Sequence, residues 1–168
     1  MATILKNNGN ISLNFTLGTI LVLKPAPEDK SRAIYDLPFN LRLLNATGDT
    51  LLHMSISRTK ATFQDYARRS LGDGRGKAKT VAVNLKYGDT VSIHHYLTDS
   101  EFGRYQILAN GTTISHFDKR LPGSATQIVY TDALHLRNNY WGPSYWHVGV
   151  YQIDDLLPED RLALVPGR

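Results

Sequence analysis

Two adjacent histidines, His94 and His95, with Asp99 and Glu101 close behind, are the first candidates in the chain for holding a metal or moving a proton. On an extended segment neighbouring side chains point to opposite faces, so the two imidazoles do not converge on one ion. Cysteine is absent, which removes thiolate nucleophiles, thiolate zinc sites and disulfides and fits synthesis in a reducing compartment. A G-x-S-x-G elbow, a phosphate loop and the dinucleotide glycine pattern are all missing, and Gly72-Asp73-Gly74-Arg75-Gly76 reads as a flexible loop. Glycosidase chemistry needs two carboxylates held across a cleft, and no spacing singles out such a pair. The expectation is therefore a binding protein without enzyme activity, cofactor or metal. Its binding candidates are the polar residues His53, Ser55 and Ser57, which alternate with Leu52, Met54 and Ile56, and the basic residues that follow them.

The formal charge of +4 is unevenly placed. Between Ser57 and Lys79 stand Arg58, Lys60, Arg68, Arg69, Arg75, Lys77 and Lys79 against Asp65 and Asp73, a local balance of +5 that leaves the rest of the chain at −1. A near-neutral scaffold with one basic segment reads as a local ligand site rather than a nucleic-acid footprint, which makes nucleic acid an unlikely partner.

The elements that must position these residues are strands. Apolar and polar residues alternate in Leu52 to Ser57, in Phe39, Leu41 and Leu43 against Asn40 and Arg42, in Val91 and Ile93 against Ser92 and His94, and in Tyr105 and Ile107 against Gln106. Turn chemistry separates these runs: Thr47-Gly48-Asp49, Tyr87-Gly88-Asp89, and Asn110-Gly111, the pair suited to a type I′ hairpin. Short strands at regular spacing, without helix-length periodic stretches, predict an all-β sandwich or barrel. Two irregular stretches interrupt the pattern, the glycine-rich Arg69 to Lys77 and Asp132 to Tyr145. Loops of this kind on a β scaffold commonly carry binding residues. Trp141 and Trp146 offer a stacking platform or core packing, with packing the favoured reading.

With 168 residues, 42% of them hydrophobic and 20% charged, the chain has the size and composition of one globular domain. About 70% of the surface exposed by an unfolded chain of this length is buried on folding, so neither disulfide nor metal is needed. The start, Met1-Ala2-Thr3-Ile4-Leu5-Lys6, lacks the charged beginning and long apolar run of a secretory signal, and no apolar stretch reaches the ~20 residues that cross a bilayer. The expectation is cytoplasmic synthesis without a signal peptide and no membrane insertion. The glycosylation triplets at Asn10, Asn14, Asn45 and Asn110 are then chance occurrences.

From about residue 11 to residue 158 the order of segments resembles the galectins, particularly the short galectins of mushroom-forming fungi. The resemblance rests on Phe39-Asn40-Leu41-Arg42-Leu43, Leu51-Leu52-His53-Met54-Ser55-Ile56, Gly103 to Gly111, His116-Phe117-Asp118-Lys119-Arg120, and the closing Val148 to Ile153 before Leu156-Leu157-Pro158. It implies two antiparallel sheets in a jelly-roll β-sandwich of the concanavalin A-like kind, with sugar on the face of one sheet. Residues 1–158 would form a single carbohydrate-recognition domain, and residues 159–168 a C-terminal extension.

Galectins read β-galactosides with a histidine, an arginine, an asparagine, a stacking tryptophan, and a glutamate with a second arginine. Hydrogen-bonding groups beside a flat platform suit a hexose, which has a hydroxylated rim and a patch of C–H groups. By the resemblance His53 matches the histidine. Ser57 stands at the arginine position with Arg58 next to it, Asp65 or Tyr66 falls near the asparagine, and Arg68 matches the basic residue beyond. Arg75-Gly76 takes the place of the stacking Trp-Gly, and Ala78 or Lys79 that of the glutamate. The site implied is His53, Ser55, Ser57, Arg58, Asp65, Tyr66, Arg68, Arg75, Lys77 and Lys79. Some fungal members read N-acetylglucosamine oligomers, and a guanidinium at Arg75 can stack on an acetamide while donating hydrogen bonds. The function implied is a galectin-type lectin of altered specificity, for β-galactoside-related or N-acetylglucosamine-containing oligosaccharides on glycoproteins or glycolipids. Homo-oligomers would multiply weak sites, and non-classical secretion would carry the protein to its glycans. The alternatives are a galectin-fold interaction module without sugar binding and a binder of acidic glycans through the basic loop.

Overall fold

A computed structural model describes residues 3–6, 8–25, 38–68, 74–86, 88–131, 145–161 and 164. The strands are β1 (Thr3–Lys6), β2 (Gly9–Phe15), β3 (Thr19–Pro25), β4 (Phe39–Leu44), β5 (Thr50–Ile56) and β6 (Lys60–Tyr66). They continue with β7 (Lys79–Ala82), β8 (Val91–Tyr96), β9 (Arg104–Ala109), β10 (Thr112–Asp118), β11 (Ala125–Thr131) and β12 (Tyr145–Gln152). Two six-stranded sheets result, in the orders β1-β12-β3-β8-β9-β10 and β2-β11-β4-β5-β6-β7. Every pairing in both is antiparallel. This is the expected two-sheet sandwich. No helix of the described residues is long and apolar enough to cross a membrane.

Alternation builds the core. Leu41, Leu43, Leu52, Met54, Ile56 and Phe63 from one sheet meet Leu21, Leu23, Val91, Ile93, Tyr105 and Ile107 from the other, all buried. Trp146 is 1% exposed and its ring centroid lies 5.5 Å from that of Phe39 and 6.2 Å from that of Tyr130, so it packs the core. Trp141 lies outside the described residues, as do positions 69–73 and 132–144 of the two irregular stretches. Asn110 and Gly111, at φ 50° and 77°, turn β9 into β10 as the dipeptide predicts.

The two faces of the β8 strand depart from a simple inside-and-outside division. His95 points inward beside Phe15 and Tyr105, while His94 points outward, and both are buried. His94 Nδ1 sits 3.1 Å from Gln106 Oε1, which offsets the cost of burying a polar ring. On the same face the Tyr96 ring stacks against His94, with centroids 5.1 Å apart at 24°. After β12 comes a 3₁₀ turn (Ile153–Asp155) and a short helix α1 (Pro158–Arg161), and Leu156, Leu157 and Leu164 line a cavity of about 430 Å³ with Ile20, Val22, Ser92 and Leu108. Helix α1 spans the boundary between residues 158 and 159.

Candidate functional site

His53 is placed by an irregularity in β5. Across β4, Leu43 pairs with Leu52 but Leu44 with Thr50; across β6, Gln64 pairs with His53 but Tyr66 with Thr50. β5 therefore carries one extra residue against both neighbours, a bulge that lets the adjacent Leu51 and Leu52 both enter the core at 1% and 0% exposure. His53 follows directly, half-buried on the outer face. From there regular alternation sets Ser55 beside it, paired with Asn40 on β4 and Thr62 on β6.

The outer face around His53 is a row of hydrogen-bonding side chains. Arg42, His53 and Gln64 pair side by side on β4, β5 and β6. His53 Nε2 lies 3.0 Å from Asn40 Oδ1, an arrangement satisfied by donation from Nε2–H, and the Tyr66 hydroxyl stands 3.5 Å from Nδ1. Tyr66 presents its ring edge-on to the imidazole, with centroids 6.0 Å apart at 89°. Burial, reinforced by the nearby Arg42 charge, lowers the His53 pKa from its ordinary 6.5, which favours the neutral ring at neutral pH. Gln64 Nε2 donates to the Gly76 carbonyl at 2.9 Å.

Arg75 reaches the same face through the backbone. It forms an antiparallel bridge with Tyr66, flanked by Ala67 N–H to Gly74 O at 2.9 Å and Gly76 N–H to Asp65 O at 2.8 Å. Directly opposed residues in an antiparallel pair share a face, so the exposed Arg75 stands over the side that carries Tyr66 and His53. Together with Gln64, Ala67, Arg68 and Gly74 these residues line a cavity of about 460 Å³. Arg68 is fixed by its backbone N–H to Asp49 Oδ1 at 2.8 Å, and its side chain crosses Gly48, where a Cβ would come within 2.8 Å of Nη1.

The remaining sequence candidates lie elsewhere. Ser57 is 5% exposed and belongs to the β5–β6 turn, where its hydroxyl accepts from Lys60 N–H at 3.1 Å. Strand β5 ends at Ile56, so Arg58 escapes the alternation that would turn it inward and lies exposed in that turn. Asp65 alternates with Gln64 and Tyr66 and points the other way; it is 2% exposed, and Arg120 Nε and Nη2 donate to its Oδ1 at 3.0 and 2.8 Å. Lys77 and Lys79 line a separate cleft of about 710 Å³ with His116 and Arg120, and Lys79 Nζ donates to the His116 carbonyl at 2.7 Å. Gln64, Asn40 and Arg42 are the outer-face residues absent from the sequence-based site. The alternation of Thr62, Gln64 and Tyr66 against Ala61, Phe63 and Asp65 is the signal that marks Gln64. Among the described residues no three His, Asp or Glu side chains are grouped to hold a metal ion.

No protein-family model matches the chain. Solved structures do. The galectin LEC-6 of Caenorhabditis elegans superimposes with a TM-score of 0.56 at 19% identity, over 87% of this chain and 95% of that one. A variant of human galectin-16 gives 0.62 at 14% identity, over 89% and 99%. The fold is the galectin fold. A toad ovary galectin in complex with thio-digalactose is a further structural neighbour, with a TM-score of 0.55 at 14% identity over 89% of this chain and 98% of that one. At these identities the likeness is one of fold. Within the galectin fold of this chain, the sheet that holds His53 offers an open polar face with a cavity at one end.

Proposed function

We propose that this protein is a non-enzymatic carbohydrate-binding lectin of galectin type, with a specificity shifted from plain β-galactosides. The observation that carries the reading is the convergence of His53, Gln64, Tyr66 and Arg75 on one cavity at the outer face of a galectin-fold sheet. A neutral imidazole, a primary amide, a phenol and a guanidinium together offer the donors and acceptors that sugar hydroxyls need. No tryptophan among the described residues stands over this face, since Trp146 is in the core. The exposed Arg75 is then the flat group beside the histidine, and its guanidinium plane suits an acetamide or another planar substituent. The ligands proposed are β-galactoside-related or N-acetylglucosamine-containing oligosaccharides on glycoproteins or glycolipids, with homo-oligomers raising weak single-site affinity by avidity.

A glycan array with titrations of lactose and chitin oligomers tests this. Binding to at least one oligosaccharide, weakened tenfold or more by His53→Ala, is the expected result; blank arrays and blank titrations would reject it. That no described tryptophan stands over this face also favours a second reading, an interaction module on the galectin fold. Wild-type and His53→Ala protein behaving identically on every glycan, beside a stable protein partner, would select that reading instead.

A further inference from the structure

The cavity beside His53 has a one-sided charge. Arg68 and Arg75 line it together with His53, Gln64, Tyr66, Ala67 and Gly74, and Arg42 flanks His53 in the next strand. None of these described lining residues is acidic. Among the described residues, the two carboxylates beside this end of the sheet, Asp65 and Asp49, have partners of their own. Asp65 points to the opposite side of β6 and is neutralised by Arg120, while Asp49 accepts hydrogen bonds from Arg68 N–H, Asn45 Nδ2 and Thr47 Oγ1. Among the described residues no carboxylate lies within ion-pair distance of the Arg42, Arg68 or Arg75 guanidinium. Guanidinium groups held over a concave site with no acidic group among its described lining residues focus a positive field there, and their planar donor forks match a sulfate or carboxylate in two-point contact.

The positions of these groups are set by the backbone. Ladder hydrogen bonds on either side of the Tyr66–Arg75 bridge pin Arg75, and the Asp49 cap together with the bare Gly48 surface seats Arg68. Away from the cavity the same face turns neutral: Asn40, Ser55, Thr62 and Thr80 pair in a row across β4, β5, β6 and β7. The face thus offers neutral hydrogen-bonding groups along its breadth and a cationic end.

We propose that the cavity lined by Arg68 and Arg75 recognises an anionic substituent, a sulfate ester or a sugar carboxylate, on an oligosaccharide whose neutral units lie against the His53 face. The inference rests on the lectin reading above and names the ligand class of the same site. Its test compares three probes on the purified full chain: a neutral β-galactoside-terminated oligosaccharide, the same oligosaccharide bearing a sulfate ester, and the same bearing a carboxylated terminal sugar. Wild-type protein is expected to bind one or both anionic probes at least tenfold more tightly than the neutral one. Arg75→Gln and Arg68→Gln should each remove most of that advantage, read as the anionic-to-neutral affinity ratio of the same variant, Arg75→Lys should retain part of it, and Lys86→Gln, an exposed charge distant in the fold, should leave it intact. Raising salt from 50 to 300 mM should weaken only the anionic arms. The arm that gains affinity identifies sulfate or carboxylate as the source. Neutral binding equal to or tighter than anionic binding, or an anionic advantage that survives Arg68→Gln/Arg75→Gln, would overturn the inference and leave the lectin reading standing. Failure of all three probes, with a blank array, would reject both. Circular dichroism of each variant separates lost contacts from lost folding.

Discussion

Gly76 shows how tightly single residues constrain this site. A Cβ there would stand 2.1 Å from Asp65 Oδ1 and 3.1 Å from Arg120 Nε, and both neighbours belong to an ion pair whose carboxylate is buried and whose guanidinium is half exposed. Gly76→Ala must displace that pair, and overpacking of this kind costs about 1–3 kcal/mol. A lower urea midpoint with an unchanged slope is the expected readout. Arg120→Ala removes the ion-pair partner of a carboxylate that is 2% exposed, and should cost about 1–3 kcal/mol in the same measurement. His53 should behave differently if its role is toward ligand as proposed: His53→Ala should reduce glycan affinity tenfold or more while leaving the unfolding free energy within about 0.5 kcal/mol of wild type. Asp65 and Tyr66 are neighbours in sequence, and the resemblance alone offers either for the same position. Strand alternation separates them, sending Tyr66 to the His53 cavity and Asp65 to Arg120.

At the scale of elements, β5 illustrates what periodicity can and cannot reveal. The alternation of Leu52, Met54 and Ile56 with His53 and Ser55 is plain in the sequence and holds in the strand. Leu51 breaks it, and its burial follows from the bulge, a feature that depends on pairing with β4 and β6 and leaves no local mark beyond two adjacent leucines. The β9–β10 hairpin is the opposite case, because Asn110-Gly111 names its own turn. Gly111 sits at φ 77°, so Gly111→Ala should destabilise the protein by about 1 kcal/mol, seen as a fall in Tm of a few degrees. Trp146 anchors β12 between Phe39 and Tyr130, and Trp146→Ala should cost about 3–5 kcal/mol by thermal or urea unfolding.

The whole molecule carries an acid liability at its centre. His95 is 2% exposed, neither ring nitrogen makes a well-aligned hydrogen bond, and Phe15 and Tyr105 pack against it. Burial, with the nearby Lys119 charge, lowers its pKa from 6.5 to about 4, although the backbones of Phe102 and Thr16 pull weakly the other way. A histidine whose folded pKa is depressed binds fewer protons folded than unfolded between these values. Its contribution is thus fully present above pH 6.5 and is lost as pH falls toward 4. The loss amounts to about 3 kcal/mol. His95→Leu should flatten this part of the Tm profile between pH 7.5 and 4.5, whereas an equally steep profile in the variant would assign the acid sensitivity to other groups.

The sequence by itself determined the strand pattern, the sandwich class, the hairpin at Asn110-Gly111 and the outward place of His53, because alternation and turn chemistry act between near neighbours. It also showed a basic segment, but as one continuous feature. Only the tertiary structure decided how that charge is divided: Arg68 and Arg75 beside His53, Lys77 and Lys79 in another cleft, Arg58 in a turn. The division arises where the chain pairs back on β6, because between the Arg75–Tyr66 bridge and the Lys79–Phe63 pair the returning segment carries one residue more than β6 and alternation is interrupted. Which side each takes is fixed by hydrogen bonds to a strand ten residues away, and no local pattern encodes those.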